Sequence, residues 1–313
     1  MTGYLVRRLA QSLLVMLIAS VIVFILLHSL PGGLVRAQLG LKASEYSVEQ
    51  LTRAEGLLKP LPVQYGIWLL HLVEGNLGYS YKLNQPVSSL LISYVPRTLL
   101  LVGASTLLSI AIALPMGIWQ GYRRNRADDH LLSASMLLLY AMPSFLVGVI
   151  SIVLLSEDLP LLPSTSTAFG SGFGTDVDVL VLPILTLVAG NVAFYSRYMR
   201  SAVIDNLLED YVRTAYAIGC SPRRVLARHV LRNSMGSTMT MFGLTLPYIF
   251  SGALIVEELF NFPGLGLLFW NASTQRDYPV LLGVVLIVTA AVVVGSLLAD
   301  IGYAMLDPRV QYA

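Results

Sequence analysis

Asp210 to Asn233, DYVRTAYAIGCSPRRVLARHVLRN, is a polar segment set between hydrophobic runs, and its punctuation spells a helical hairpin. No breaker interrupts Glu209 to Ile218, and Gly219 then supplies the permissive φ on which helices end. Ser221 is a good N-cap and Pro222 fits the first helical position, where a missing N–H costs nothing. In the short helix that follows, Arg224, Arg228 and Arg232 recur at four-residue spacing on one face. Val225, Leu226 and Val230 give it an apolar side. A hairpin of this composition is built to be gripped.

Around it the chain is strongly apolar. Of 313 residues, 56% are hydrophobic and 12% charged, too little polar surface to cover a globule in water. The chain belongs in a bilayer. Six runs approach the ~20 residues needed to cross the hydrocarbon core: Leu9–Leu30, Thr98–Trp119, Leu131–Leu155, Leu180–Phe194, Met235–Val256 and Val280–Tyr303. All six read as helices, so the expected fold class is an all-α polytopic membrane protein. Pro143 is expected to kink the third run. The fourth holds Pro183 near its start and is short unless Tyr195 to Met199 extends it.

If six spans alternate, one side of the membrane collects Arg7, Arg8, Arg123, Arg124, Arg126, Arg197, Arg200, the hairpin arginines and Arg309. That side is expected to be cytoplasmic, with both termini and the hairpin on it. The first run exceeds a usual signal h-region, so an uncleaved span is the preferred reading of the amino end. The chain then divides into residues 1–30 (amino terminus and first span), 31–96 (an extracytoplasmic loop or small cap) and 97–313 (a five-helix core carrying the hairpin at 205–235). In the loop, Ser47-Val48-Glu49-Gln50 fits a capping box ahead of a helix to about Leu58, and Val63–Val73 suits another. Gly75-Asn76-Leu77-Gly78 breaks the chain after it.

Several chemistries find no support. A single cysteine, Cys220, excludes an intrachain disulfide and a multi-cysteine metal site. His28, His71, His130 and His229 are scattered over both sides, and neither HExxH nor GxSxG occurs. No lysine follows a glycine as in a Walker A loop, so this chain is not its own ATPase, and no cofactor or metal is expected on it. The clear ionisable residues within the spans are His28 and Asp300, both near helix ends. Ion-coupled carriers usually place such groups near mid-membrane, which makes a secondary carrier the weaker reading. Asp128-Asp129, after three arginines, balances charge at a helix start.

A helix, a glycine and a second short helix in a cytoplasmic loop resembles the EAA loop of bacterial ABC importer permeases. Counted from Gly219, the family triplet falls on Arg213, Thr214 and Ala215, and its Ile-x-Leu-Pro ending on His229, Leu231 and Arg232. The closer likeness is to the oligopeptide, dipeptide and nickel branch, whose loop typically reads DYVRTARAKG followed by an RHxLRN run. Asp210–Ala215 and Arg228–Asn233 keep that form. Further matches follow in order: the opening RRLAQSLLVMLIASVIVFILLHSLPGG, GNLGYSYKLNQPV, Leu114–Ile118 with Asp129 beyond it, Met142–Phe145, Glu257–Gly266 and Leu306–Arg309.

The resemblance implies a type I ABC importer permease fold of six transmembrane helices in a bacterial plasma membrane. Its implied partners are a second, homologous permease subunit in a heterodimer, two cytoplasmic ATPases that hold ATP and Mg2+, an extracytoplasmic substrate-binding protein and membrane lipids, with no nucleic acid. It places ATPase coupling on Asp210, Arg213, Ala215, Gly219, Ser221, Pro222, Arg224, Val225, Leu226, Arg228, His229 and Val230. Val225, Leu226 and Val230 are expected to pack in a groove on the ATPase, with Arg224 and Arg228 on its polar rim. Contact of the arginine stripe with anionic headgroups is the other reading. For the substrate path, Asn191, Tyr195 and Ser196 of the fourth span and Ser251 and Glu257 of the fifth are candidates. Without a metal-ligand cluster, peptides are the favoured cargo, with nickel or a metal-chelate or opine-type cargo as the alternative.

Overall fold

The computed structural model describes residues 2–29, 35–36, 39, 43–54, 56–80, 82–235 and 253–306, which are predominantly helical. In chain order come α1 (Thr2–His28), α2 (Glu45–Ala54), α3 (Leu61–Val73), a two-residue hairpin of β1 (Tyr79–Ser80) and β2 (Gln85–Pro86), and α4 (Val87–Tyr122). Next are α5 (Ala127–Ala141), α6 (Ser144–Ile152, running on as a π turn over Val153–Asp158) and α7 (Phe173–Leu207). After them come α8 (Asp210–Ala217), α9 (Pro222–Val225, running on as a π turn over Leu226–Val230), α10 (Leu265–Gln275) and α11 (Tyr278–Leu306). Among the described residues, four segments are long and apolar enough to cross a membrane: Arg7–Leu26, Val87–Tyr122, Gly174–Leu207 and Tyr278–Leu297. The pair α5 and α6 supplies a fifth, bent by 101°. The expected span Met235–Val256 lies outside the described residues from 236 to 252, and 253–259 are helical.

Two prolines in the spans behave differently from each other. Pro143 does not kink a continuous helix but ends one. Met142 is extended (φ −78°, ψ 129°) and Pro143 caps the start of α6. A proline ring clashes with a helical residue before it, so the chain breaks there instead of bending. Pro183, by contrast, is absorbed inside α7, and the short fourth span becomes the middle of one 35-residue helix. The carbonyl it deprives of an amide belongs to Val179, and Ser166 Oγ donates to that oxygen at 2.6 Å. Ser166 is itself held by its amide, which donates to Phe260 O at 2.7 Å.

The chain forms two compact units. The first comprises Met1–Thr98 with Pro263–Val293. In it α1 meets α3 through Phe24, whose ring lies 5.3 Å from that of Tyr65 and 6.0 Å from that of Trp68. Ser20 Oγ and Tyr65 Oη are 2.8 Å apart. The cap of α2 is Ser44, which accepts the Ser47 amide at 3.1 Å, three residues ahead of the serine expected to do so. The small hairpin precedes α4, which begins at Val87, ahead of the expected loop end at 96; Gly78 before it has φ +90°, and Ser80 Oγ donates to Asp277 Oδ2, both residues buried. Val87, Leu90 and Leu91 of α4 then pack on Leu265, Leu268 and Ala272 of α10 and Val280 and Val284 of α11.

The second unit comprises Leu99–Phe262 with Val294–Ala313. Its centre is α7, buried against α4 and α5 through Ala113, Met136, Val188, Val192, Ala193 and Tyr195. Two glycines one turn apart let α4 approach closely. A Cβ on Gly117 would sit 2.6 Å from Ser196 O and Met199 Cβ, and one on Gly121 would sit 2.7 Å from Val203 Cβ. From the C-terminal end of α7 the chain enters the hairpin directly.

Candidate functional site

The hairpin of α8 and α9 is built by its local chemistry as the sequence suggests. Glu209 is extended (φ −69°, ψ 148°) and Asp210 places a carboxylate in the first turn of α8, where the helix dipole favours it. Gly219 has φ +86°, and the amides of Gly219 and Cys220 donate to Tyr216 O and Ala215 O, each at 3.0 Å. This Schellman closure is why a glycine stands at that position. Ser221 holds the N-cap by its backbone, its carbonyl accepting the Val225 amide at 3.0 Å. Contrary to expectation, its side chain makes no capping bond among the described residues.

The larger correction concerns which side faces out. Val225 and Val230 are fully buried, with Val212 and Ala215 beside them, against Met199 and Val203 of α7. They pack inside this subunit and are not the outward docking face. Read as an α-helix, Val225 and Val230 would stand about 140° apart. The wider i→i+5 turn over Leu226–Val230 brings them to one side. Leu226 and His229 are half-buried. Two bonds secure the hairpin further: Tyr211 Oη donates to Asn206 Oδ1 at 2.6 Å, and Ser234 Oγ to Ala202 O at 3.2 Å.

What remains outside is a tip. Ile218 is 76% exposed and Tyr216 43% exposed, large apolar side chains at the turn of a polar hairpin. Around them Asp210, Arg213, Gly219, Ser221, Pro222, Arg224 and Arg228 are exposed, as is Arg223. Asp210 and Arg213 form a loose pair at 3.5 Å on the same surface. Ile218 and Tyr216 were not among the expected site residues. The signal for Ile218 is a β-branched residue directly before a helix-ending glycine, which helix formation alone does not require.

Beside the hairpin, α5 and α7 are locked together by a buried ion pair. Arg200 Nε and Nη2 donate to Asp129 Oδ1 and Oδ2 at 2.7 and 2.8 Å, and Asp129 also accepts the Asn125 amide at 3.0 Å. The reading of Asp128-Asp129 as a local charge balance is met at Asp128, which pairs with Arg123 at 2.9 Å, whereas the partner of Asp129 is on another helix, 71 positions away.

Of the substrate-path candidates, all but Ser251 lie among the described residues. Asn191 is half-buried, Tyr195 lies in the core of the second unit, and Ser196 is buried with its carbonyl facing Gly117. Tyr195 and Ser196 are thus buried within the chain, Ser196 where Gly117 of α4 approaches α7. Glu257 is fully buried, and Ser251 lies outside the described residues. His28, in the first unit, is bonded through Nδ1 to Phe24 O at 2.8 Å and through Nε2 to Gln64 Oε1 at 2.9 Å. The side chain of Asp300 lies outside the described residues.

Comparison with known proteins adds three results. The family model described as binding-protein-dependent transport system inner membrane component matches residues 113–312, and the model for the amino-terminal part of such components matches residues 1–102. The chain is 36% identical to the oligopeptide transport system permease protein AppB of Bacillus subtilis over 319 residues, covering 100% of both chains. It is 37% identical to a putative peptide permease protein of Brucella ovis, covering 99% of each, and 33% identical to the glutathione transport system permease protein GsiC of Salmonella paratyphi A, covering 100% of each. Among solved structures, the MetNI methionine ABC transporter in inward-facing conformations gives a TM-score of 0.56 at 18% identity, over 70% of this chain and 96% of that one. An amino acid ABC transporter solved with histidines gives 0.52 at 15% identity, over 70% and 94%.

Proposed function

The chain belongs to the family of binding-protein-dependent transport system inner membrane components, and from that premise we propose that it forms half of an import path for peptides, driven by ATPases gripping the α8–α9 tip. Membership makes it a multi-pass inner-membrane permease component of an ABC transport system, a transport subunit and not a catalytic one. The peptide cargo rests on full-length relatives whose names specify oligopeptide, peptide and glutathione transport. The remaining partners in this reading are a second homologous permease subunit, two ATPases carrying ATP and Mg2+, and an extracytoplasmic binding protein that delivers the cargo.

The observation that carries the coupling role is the division of the hairpin into two faces. Val212, Ala215, Val225 and Val230 seal one face against α7, while Ile218 and Tyr216 stand out on the other, flanked by Arg223, Arg224 and Arg228. An apolar knob ringed by arginines fits a hydrophobic cleft with an acidic rim, and force applied there passes straight into α7. The test is ATP-dependent peptide uptake in proteoliposomes containing this chain with its partner subunits and binding protein, comparing wild type with Ile218→Asp. Loss of uptake with intact assembly supports the reading. Wild-type uptake by the variant removes the tip from the mechanism, and uptake without any ATPase subunit overturns the whole assignment.

A further inference from the structure

Between α5 and α7, on the second unit, lies a half-open groove of about 540 Å³ lined by Ser133, Leu137, Tyr140, Phe194, Arg197 and Tyr198, with Arg200 and Ser201 completing it. Its walls are apolar and uncovered: Leu137 is 56% and Tyr140 51% exposed. The aromatic residues form one surface, with Phe194 and Tyr198 ring centroids 4.7 Å apart and Tyr140 stacked on Phe194 at 6.3 Å.

The groove also carries unbalanced positive charge. Arg197 places its guanidinium 5.1 Å from the Tyr140 ring and forms no ion pair among the described residues. Arg200 uses Nε and Nη2 on Asp129, the carboxylate beside the groove, so its Nη1 keeps its two N–H donors. The lining thus holds two guanidinium groups and no carboxylate, and Asp129 pairs with Arg200 alone among the described residues. The Ser201 hydroxyl adds a donor at the same place, while Ser133 already donates to Asp129 at 3.3 Å.

From this we infer that the groove is a binding site for an anionic phospholipid of the cytoplasmic leaflet, the phosphodiester on Arg197 and Arg200 and the acyl chains along Leu137, Tyr140 and Phe194. Both halves of the groove need explaining at once. A free anion would satisfy the arginines and leave the exposed apolar wall bare, whereas a neutral lipid would cover the wall and leave the charge unmatched. An anionic lipid satisfies both, and the arginine distribution puts this end of α7 on the leaflet where such lipids concentrate. The site does not depend on which cargo the transporter carries.

The test is native mass spectrometry of the full chain in detergent, with phosphatidylglycerol and phosphatidylcholine of matched acyl chains. Arg200 is left alone because it holds Asp129, and the variant is Arg197→Gln, with thermal unfolding as a control for folding. Wild type is expected to retain phosphatidylglycerol over phosphatidylcholine, and Arg197→Gln to reduce that retention roughly fivefold at an unchanged unfolding temperature. Equal retention of the two lipids by wild type overturns the inference, as does undiminished retention by Arg197→Gln or full displacement of phosphatidylglycerol by millimolar inorganic phosphate. A second arm uses Tyr198→Cys with the single native cysteine changed to serine, in the assembled transporter in membranes. A cross-link to a thiol-reactive phosphatidylglycerol supports the site, and a cross-link to another protein subunit overturns it.

Discussion

Ser166 donates its hydroxyl to the carbonyl oxygen of Val179, the acceptor that Pro183 leaves without a helical amide four residues later. The bond is buried, and it is what allows α7 to run through a proline without breaking. Ser166→Ala leaves that carbonyl bare and is expected to destabilise the chain by about 1–3 kcal/mol. Thermal unfolding of the purified chain in detergent measures it. An unchanged midpoint would mean the carbonyl finds another donor.

Asp129 and Arg200 supply a second, sharper test. Asp129 is fully buried while Arg200 is partly exposed, so removing the carboxylate strands a guanidinium that water only partly reaches. Asp129→Ala should cost about 3 kcal/mol, the lower end for a broken buried pair. The double change Asp129→Leu with Arg200→Met should recover most of that loss, because a packed apolar pair carries no desolvation penalty. A double variant less stable than either single one would refute this account of the pair.

The glycines of α4 and α7 predict opposite signs for the same substitution. Gly117→Ala places a methyl 2.6 Å from a backbone oxygen that cannot step aside, and about 1–3 kcal/mol of destabilisation follows. Gly190, inside α7, has nothing within 4 Å of the added carbon. Gly190→Ala should stabilise by about 0.5–1 kcal/mol through the lower entropy of the unfolded chain. The two unfolding midpoints, measured side by side, decide whether helix contact or helix propensity controls each site.

In the hairpin, the buried and exposed residues should separate folding from coupling. Val225→Asp buries a charge against Met199 and Val203, so loss of the folded chain in membranes is expected. Ile218→Asp acts in solvent, and the expected outcome is normal yield and normal subunit assembly with peptide-stimulated ATP hydrolysis abolished. Equal yields for the two variants would contradict the burial pattern.

Much of the hairpin was legible because short-range chemistry decides it: a carboxylate at a helix start, a glycine at its end and a proline at the next start act without help from the rest of the fold. Its facing was not legible. The direction of Val225 and Val230 depends on a π turn, which no residue preference announces. The length of α7 was hidden for a similar reason, since the donor that rescues Pro183 sits in a separate segment. Ser44 and Ser47 are equally good caps one turn apart, and only the surrounding structure chooses between them. The two-residue strands around Asn84 are too short for any periodicity to show. Tyr195 and Ser196 stand out in the sequence as polar residues in an apolar helix, but their burial within the chain depends on neighbouring helices that the sequence does not place.

The close seating of α4 on α7 divides α7 into unequal arms. At 1.5 Å per residue, Ser196 lies about 16 Å from Leu207, where the hairpin begins, and about 34 Å from Phe173 at the opposite end. The seat formed by Gly117 and Gly121 runs from Ser196 to Val203, and the hairpin is fastened to α7 by its own core just beyond it. In the proposed coupling, a rigid tilt about that seat would carry the long arm of α7 farther than the short one.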